Sequence, residues 1–295
     1  MGHRIRIFVV VALVSGAVML GASPSPGTAA PAGPAGERSA LIVGVSRHEG
    51  GRPVGTVGGA GDARAVQEAL RRAGWRDDQM RVLIDDAATA ANIRDGISWL
   101  GGRSTDSSLT IFHYSGHTFQ RDGDPDRDGE VLDEFLVPYD ARNIMADREV
   151  AERLGAVQGW LWASFASCEA IGFDDAGLSG PRRLVTASSA EPEKSYERPD
   201  WKMSVFVGLF VDEAMLKGRG DANGDGSVSI QEAFAYAARE APAMTSGQSR
   251  GPQNPQIRGG DGQPWFLGPP PPPPAPPPPP AAAPRPRLCS GPICL

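Results

Sequence analysis

The sequence is poor in cysteine, in histidine and in basic charge. It has three cysteines and four histidines among 295 residues, and Cys289 and Cys294 lie at the extreme C-terminus. Cys168 is therefore the one cysteine in the body of the chain, and thiol chemistry there can fall only on it. The formal net charge is −6, which excludes the basic footprint expected of a nucleic-acid-binding protein.

The N-terminus carries an apolar run, IFVVVALVSGAVMLG, that is too short to span a bilayer comfortably. A basic head, MGHRIR, precedes it and small residues follow, a pattern typical of a secretory signal peptide. We expect residues 1–30 to be a signal peptide, cleaved between Ala22 and Ala32, and residues 31–38 to be a linker. An uncleaved anchor is the alternative. Both readings predict a secreted protein or one of the cell envelope.

The C-terminal residues 268–295 form a proline-rich tail, with proline at every position from Pro269 to Pro280 except Ala275. Such a run favours an extended polyproline II spacer, which would suit attachment to the cell envelope. Outside the cytosol Cys289 and Cys294 can close a small disulfide loop; free or intermolecular thiols are the alternative. If they pair, Cys168 is the leftover cysteine, either buried and inert or functional.

Between residues 39 and 267 apolar runs alternate with helical patterns. We predict five strands, at residues 40–45, 80–85, 108–117, 159–167 and 183–189. The helices are predicted at residues 61–75, 89–100 (with Thr89 as the N-cap), 146–157 and 203–216. This alternation predicts an α/β domain with a mostly parallel sheet covered by helices on both faces.

Two chemically active side chains follow neighbouring strand patterns in that domain. His117 ends the run FHYSGH, and Cys168 follows the run GWLWASFAS. In parallel sheets, sites form beyond the carboxyl ends of the strands, so the two residues open at one edge if their strands are neighbours. A thiol needs a base to become a thiolate at neutral pH, and histidine is the usual one. A core histidine and a buried, inert cysteine are the alternative. His48 is a second choice for the base, and Trp160 and Trp162 are interpreted as packing residues.

In their order along the chain, these segments resemble the caspase-like cysteine peptidases, the clan of caspases, metacaspases and their bacterial relatives. The matching pieces are ALIVGV, GAGDARAVQEAL, FHYSGH, DRDGEVLDEFLVPYD, SCEAIGF, RLVTASS and NPQ, which together cover about residues 39 to 258. The spacing of about fifty residues between base and nucleophile also fits this family. The resemblance predicts a caspase-like fold and a peptidase that acts on proteins or peptides without an organic cofactor.

The resemblance implies a role for each matching residue. Cys168 would be the nucleophile and His117 the base, with the backbone amides of Gly116 and Cys168 holding the oxyanion. In the metacaspase branch, acids and a hydroxyl bind a basic side chain before the cut, and these match Asp62 and Ser115. A second pocket acid is replaced by Ala166. This departure leaves open weaker basic specificity, another residue preference, or a caspase-fold binding or scaffold module that does not cleave.

Calcium is predicted at one loop and considered at a second. The segment DANGDGSVSIQE fits the twelve-residue loop of an EF-hand; its expected ligands are Asp221, Asn223, Asp225, Ser227 and Glu232, with Ser229 at position nine and Gly226 at the turn. The metacaspase resemblance implies a second, weaker site at Asp133, Asp147 and Asp175, where Arg148 replaces an expected aspartate. A metal-free acidic loop is the alternative in both places.

Overall fold

The computed structural model describes residues 36–50, 58–123, 132–174 and 177–272. The predicted signal peptide, most of the proline-rich tail, Asp175 and the two C-terminal cysteines lie outside the described residues. A six-stranded sheet forms the centre of the described part, in the order β11-β8-β7-β3-β1-β2. Its strands are β1 (Arg38–Gly44), β2 (Met80–Ile84), β3 (Leu109–Ser115), β7 (Trp160–Ala166), β8 (Arg183–Ala187) and β11 (Gln256–Gly259).

The central sheet is parallel except at one edge. Strands β1, β2, β3, β7 and β8 pair in parallel, and β11 pairs antiparallel with β8. The five predicted strands are all present, and the mostly parallel sheet is confirmed. The third strand ends at Ser115, two residues earlier than predicted, so His117 lies outside the ladder.

Helices cover both faces of the sheet, as predicted. They are α1 (Gly59–Arg72), α2 (Ala90–Arg103), α3 (Asp147–Gly155), α4 (Val205–Val207), which continues as a π-helix (Gly208–Leu216), and α5 (Ile230–Thr245). The hydroxyl oxygen of Thr89 accepts a hydrogen bond from the amide of Asn92, so it caps α2 as predicted. None of these described helices is both long and apolar enough to cross a membrane.

Two hydrophobic cores follow from the alternation of side chains along the strands. Ala40 and Ile42 of β1 face the core beneath α1, α4 and α5, whereas Leu41 and Val43 face the core beneath α2 and α3. Burial on both faces explains why these strands read as continuous apolar runs. Trp162 is 1% exposed in the first core, which agrees with a packing role.

Short antiparallel strands lie outside the central sheet. One group contains β4 (Thr118–Asp122), β5 (Leu132–Leu136) and β6 (Met145–Ala146), and the other pairs β9 (Glu197–Arg198) with β10 (Met203–Ser204). The sequence patterns predicted neither group. Both groups flank the carboxyl ends of β3 and β7, because β4 follows β3 directly and the β9–β10 pair contributes to the same pocket as the residues after β7.

Candidate active site

The register between β3 and β7 places the two predicted catalytic residues at equivalent positions. Ser115 pairs with Ala166 at the ends of the two strands, and His117 and Cys168 each follow two residues later. Both side chains are half-buried and line one pocket of about 240 Å³. The strands are thus neighbours, and the sheet edge brings the two residues together.

Cys168 is held in a partly dry environment. Its Sγ lies 3.8 Å from the carbonyl oxygen of Ser195, and burial raises the pKa of the thiol above its usual range. A raised pKa favours the neutral thiol at neutral pH. A base is therefore needed to generate the thiolate, and His117 is the imidazole that shares the pocket.

The backbone around Cys168 is fixed by a small polar network. The Thr118 hydroxyl donates to the carbonyl of Cys168, and the next residue, Glu169, has a left-handed φ of 51°. Glu169 is 2% exposed, forms an ion pair with Lys194, and its amide donates to the Glu193 carbonyl at 2.9 Å. The positive φ is maintained because these contacts fasten the residue on both sides.

His117 packs against a second histidine. The rings of His48 and His117 are stacked, with centroids 5.8 Å apart and planes at 21°. His48 is 4% exposed, and its Nδ1 lies 3.0 Å from the Pro138 carbonyl oxygen. His48 therefore supports the ring of His117 and does not face Cys168 across the 240 Å³ pocket, which it does not line.

The predicted oxyanion donor at Gly116 is engaged within the sheet. Its N–H donates to the carbonyl of Ala166 at 3.3 Å, a long bond that continues the β3–β7 ladder. Consecutive residues of a strand direct their N–H groups to opposite edges. Val137 of the neighbouring chain segment donates to the His117 carbonyl, so the amide of Thr118 points to the opposite edge of β4.

Asp62, the predicted substrate-binding acid, is completely buried. Its Oδ2 accepts from the Ser115 hydroxyl at 2.6 Å and its Oδ1 from the Ser204 amide at 2.9 Å. Burial, followed by a smaller effect of nearby Glu197, raises the pKa of Asp62 to about 7. Ser115, Ser204 and Glu197 line the pocket, whereas Asp62 stands behind them.

Ser195, Tyr196 and Glu197 are among the pocket residues that sequence reasoning missed. They belong to a segment between β8 and β10 that has no hydrophobic periodicity. Their position is fixed by hydrogen bonds to residues far along the chain. The Tyr196 amide donates to Gln253 at 2.9 Å, and the Asn254 amide donates to Glu193 at 2.9 Å.

The EF-hand-like loop connects the π-helix to α5, as expected of a helix–loop–helix unit. Within it, Asp221 accepts from the amides of Gly224 and Gly226, and Gly226 has a φ of 83°. Glu232 accepts from the amide and hydroxyl of Ser229, which makes a capping box for α5. The described residues contain no group of three or more His, Cys, Asp or Glu side chains arranged to hold a metal ion.

Two of the three acids of the second predicted calcium site, Asp133 and Asp147, are described, and both are buried. Asp133 and Glu134 of β5 and Asp147 at the start of α3 are all 0% exposed. Glu134 accepts from Gln120 at 2.6 Å and packs against Gly172, just after Cys168. The guanidinium of Arg148 binds Glu152, one turn along α3, at 2.9 Å.

The fold has counterparts among known proteins. A family model for the caspase domain matches residues 37–260. The chain belongs to the caspase domain family. This membership confirms the resemblance to caspase-like cysteine peptidases that the sequence motifs carry.

Curated relatives support a place near the metacaspases. Metacaspase-1 of Mycosarcoma maydis is 32% identical over 112 residues, and metacaspase-1 of Cryptococcus neoformans var. neoformans serotype D (strain JEC21) is 35% identical over 115 residues. Each match covers 36% of this chain, and the chain spans only 27% and 24% of the length of those two proteins. The fold of protein GSU0716 from Geobacter sulfurreducens is also similar, with a TM-score of 0.56, 15% identity, and coverage of 76% of this chain and 94% of that one.

Proposed function

We propose that this caspase-family protein is a cysteine endopeptidase that hydrolyses peptide bonds with Cys168 as nucleophile and His117 as base. The observation that carries the proposal is the shared pocket, which two paired strands build by ending at Ser115 and Ala166. The pocket also offers backbone amides and an acidic wall. Protein or peptide chains are the substrates that such a nucleophile and family membership favour.

The reaction divides into acylation and deacylation. His117 takes the proton from the Cys168 thiol, and Sγ attacks the peptide carbonyl carbon to form a tetrahedral intermediate. The intermediate collapses when the C–N bond breaks and the leaving nitrogen takes the proton from His117, which leaves a thioester on Cys168. Water, deprotonated by His117, then attacks the thioester, releases the acid and restores the thiol.

Two amides are suited to the oxyanion of that intermediate. Cys168 contributes its own N–H, as predicted. The Thr118 N–H points away from β5, and the hydroxyl of the same residue binds the Cys168 carbonyl, whereas the Gly116 N–H is occupied by Ala166. We therefore favour Thr118 over Gly116 as the second donor, since an oxyanion donor must be free to point at the developing charge.

The pocket favours a basic residue before the scissile bond. Glu197 lines one wall of the pocket, Asp62 is buried behind Ser115 and Ser204, and Ala166 leaves space beside them. Ser115 contributes to the wall while it donates to Asp62. Lysine or arginine side chains are therefore the substrate groups that we expect at this position.

Calcium is proposed at the EF-hand-like loop, where the ligand types fit. Asp221, Asn223 and Asp225 present oxygens at the first, third and fifth positions, and Gly226 has the backbone conformation that the turn needs. Glu232 would have to turn away from Ser229 to bind with both oxygens. Calcium bound there would stiffen the connection between the π-helix and α5.

A second calcium site is proposed at Asp133 and Asp147. Burying a carboxylate away from water is costly unless a cation or hydrogen bonds compensate it, and both side chains are 0% exposed. Bound calcium there would act close to the active site, because neighbouring Glu134 packs on the segment after Cys168. Export and envelope attachment through the proline-rich tail are proposed from the sequence alone.

A caspase-fold binding module without turnover is the competing function. It is favoured by Ala166 in place of a pocket acid and by burial of Cys168, which raises the pKa of the thiol. Such a module would use the same pocket to hold a peptide side chain.

Cleavage of a mixed peptide library by the purified full chain with calcium decides between the two functions. The peptidase predicts new peptide termini and selective alkylation of Cys168 by iodoacetamide, both abolished in Cys168→Ala. Binding of library peptides without any new termini would establish the module and exclude the peptidase.

A further inference from the structure

An ion pair lies next to the proposed nucleophile. Glu169 directly follows Cys168 in the chain and is 2% exposed, and its Oε1 accepts a hydrogen bond from the ammonium group of Lys194. Its other carboxylate oxygen lies 3.5 Å from the hydroxyl oxygen of Thr118. Because a buried carboxylate is costly unless a cation or hydrogen bonds compensate it, Lys194 supplies a charge that this position needs.

The ion pair is one of three contacts that join the chain after β7 to the segment of Lys194. Sγ of Cys168 lies 3.8 Å from the Ser195 carbonyl oxygen. The Glu169 amide donates to the Glu193 carbonyl at 2.9 Å, and the Glu169 side chain binds Lys194. Glu169 has a φ of 51°, a conformation that a residue other than glycine keeps when its surroundings constrain it. The ion pair therefore helps to fix the backbone that carries the thiol.

The two charges of the ion pair act on the thiol in opposite directions. Burial raises the pKa of Cys168, and the hydrogen bond to Ser195 lowers it. Smaller effects on this pKa come from the Glu169 carboxylate, which raises it, and from the Lys194 ammonium, which lowers it. Because the two charges are opposite and in contact, each offsets part of the other's effect on a thiolate. Without Lys194, the thiolate would form beside an uncompensated carboxylate.

Other titratable side chains surround the thiol. His117, Tyr196 and Glu197 line the same pocket. Exposed Arg250 lowers the pKa of the thiol, but less than Lys194 does. Lys194 is therefore the cation with the larger effect on the thiol as well as the one bound to the neighbouring carboxylate.

We infer that Lys194 is a positioning residue for the nucleophile. By neutralising the buried carboxylate of Glu169, it holds the backbone after Cys168 and allows the thiolate to form there. This inference rests on the proposed role of Cys168, and it gives a function to a residue 26 positions further along the chain.

Substrate binding should depend on this ion pair much less than catalysis does. The wall of the pocket formed by Tyr196 and Glu197 is attached through other contacts. The Tyr196 amide donates to the Gln253 side chain at 2.9 Å, and Glu197 pairs with Ser204 between β9 and β10. Loss of Lys194 should therefore lower kcat and leave KM nearly unchanged.

Alkylation of Cys168 by iodoacetamide tests the inference without any peptide substrate. The full chain is treated at neutral pH, and mass spectrometry of its peptides gives the rate at Cys168 separately from Cys289 and Cys294. We expect Lys194→Met to slow alkylation of Cys168 about fivefold or more, because a lone carboxylate disfavours the thiolate. Unfolding cannot imitate this result, since it would expose the thiol and speed alkylation.

Three further variants separate the effect of charge from other effects. Lys194→Arg keeps the cation and should react within about twofold of the wild type. Lys194→Met combined with Glu169→Gln removes both charges, so the alkylation rate should return to within about threefold of the wild type. Lys217→Met is the matched control, because Lys217 pairs with Asp212 and Glu213 on the π-helix, and it should leave the rate within about twofold.

Peptide cleavage adds a kinetic measurement. Lys194→Met should lower kcat about tenfold and change KM by less than about twofold. No cleavage by the wild type would refute the peptidase and leave the alkylation rates to decide on Lys194. Wild-type alkylation of Cys168 in Lys194→Met, equal slowing in the single and double variants, or a loss of activity carried by KM would each overturn the inference.

Discussion

The carboxylates at the sheet edge and those in the loop at residues 221–232 differ in their burial and in the groups that bind them. At the edge, Asp62, Asp133 and Asp147 are 0% exposed, so their charge must be neutralised by protons, hydrogen bonds or a cation. In the loop, Asp221 and Asp225 are half-buried or exposed and are held by the amides of their own turn. From this difference in burial we predict that the edge acids affect protonation and activity, whereas the loop acids affect local stability.

Removal of the proposed nucleophile should have the largest effect, because it should abolish cleavage at the sheet edge and leave calcium stabilisation by the loop unchanged. Cys168→Ala should lower kcat at least ~1000-fold, since no other side chain can form the thioester. The calcium-dependent shift in melting temperature should remain, because it originates in the loop. Peptide cleavage and thermal melts on the same preparations measure both quantities, with Cys168→Ser as a second variant. Cleavage by Cys168→Ala at a rate close to that of the wild type would show that another residue is the nucleophile.

The pH dependence of stability should depend on Asp62. Burial raises the pKa of Asp62 from its usual 3.8 to about 7 in the folded protein. The folded state therefore holds a proton that the unfolded state releases, and this contribution is complete below about pH 3.8 and lost as pH rises through 7. The expected slope is up to ~1.4 kcal/mol per pH unit in that window.

Asp62→Asn should flatten that slope, because the amide cannot ionise and can still bond Ser115. Urea unfolding at pH 5, 6, 7 and 8 on both proteins measures it. Equal slopes of unfolding free energy against pH in the two proteins would show that Asp62 is ionised in the folded protein, so that a buried carboxylate and not a buried carboxylic acid stands at this position.

Calcium activation should require a higher calcium concentration when an edge acid is neutralised. Asp147→Asn removes a fully buried charge beside β5, and we expect about a tenfold higher calcium concentration for half-maximal cleavage. Glu232→Gln should leave this activation curve in place. If Glu232→Gln instead raises the calcium concentration for half-maximal cleavage and Asp147→Asn leaves it unchanged, the loop controls activity and the comparison between the regions is reversed.

Calcium stabilisation should be the smallest effect and should belong to the loop. At ten times its dissociation constant, calcium should stabilise the fold by ~1.4 kcal/mol, and Glu232→Gln should remove most of that gain. Melts with calcium and with chelator measure the shift. No shift in the wild type would identify residues 221–232 as an acidic turn closed by its own amides.

Sequence patterns predicted the central strands, because strands that are buried on both faces of a sheet have a recognisable apolar sequence. The strands around His113 and Trp162 are apolar throughout and were assigned correctly, and their adjacency brought His117 and Cys168 to one edge. The short strands β4 to β6 were missed because they are partly exposed and interrupted by acidic, glycine-rich sequence. Their pairing is set by tertiary contacts more than by periodicity.

The pocket was predictable only in part, for a related reason. Family motifs mark residues that lie on regular strands, such as Ser115, or directly after them, such as Cys168. Glu197 lies 29 residues beyond Cys168 in a segment without regular pattern, and its position depends on pairing with Ser204 and a bond from Gly58. A carboxylate placed by such distant contacts leaves no local signal in the sequence.

Residues 251–254 make hydrogen bonds to segments that are synthesised earlier, so those segments acquire these contacts late in synthesis. Gln253 donates to the Ser188 carbonyl and accepts from the Tyr196 amide, while Asn254 binds Glu193. These residues leave the ribosome after β1 to β8 have been synthesised. Until then, the segment that carries Ser195 to Glu197 lacks these hydrogen bonds. We therefore expect a translation product truncated before residue 253 to contain His117 and Cys168 but to lack the hydrogen bonds that fix the segment from Ser195 to Glu197 on the other side of their pocket.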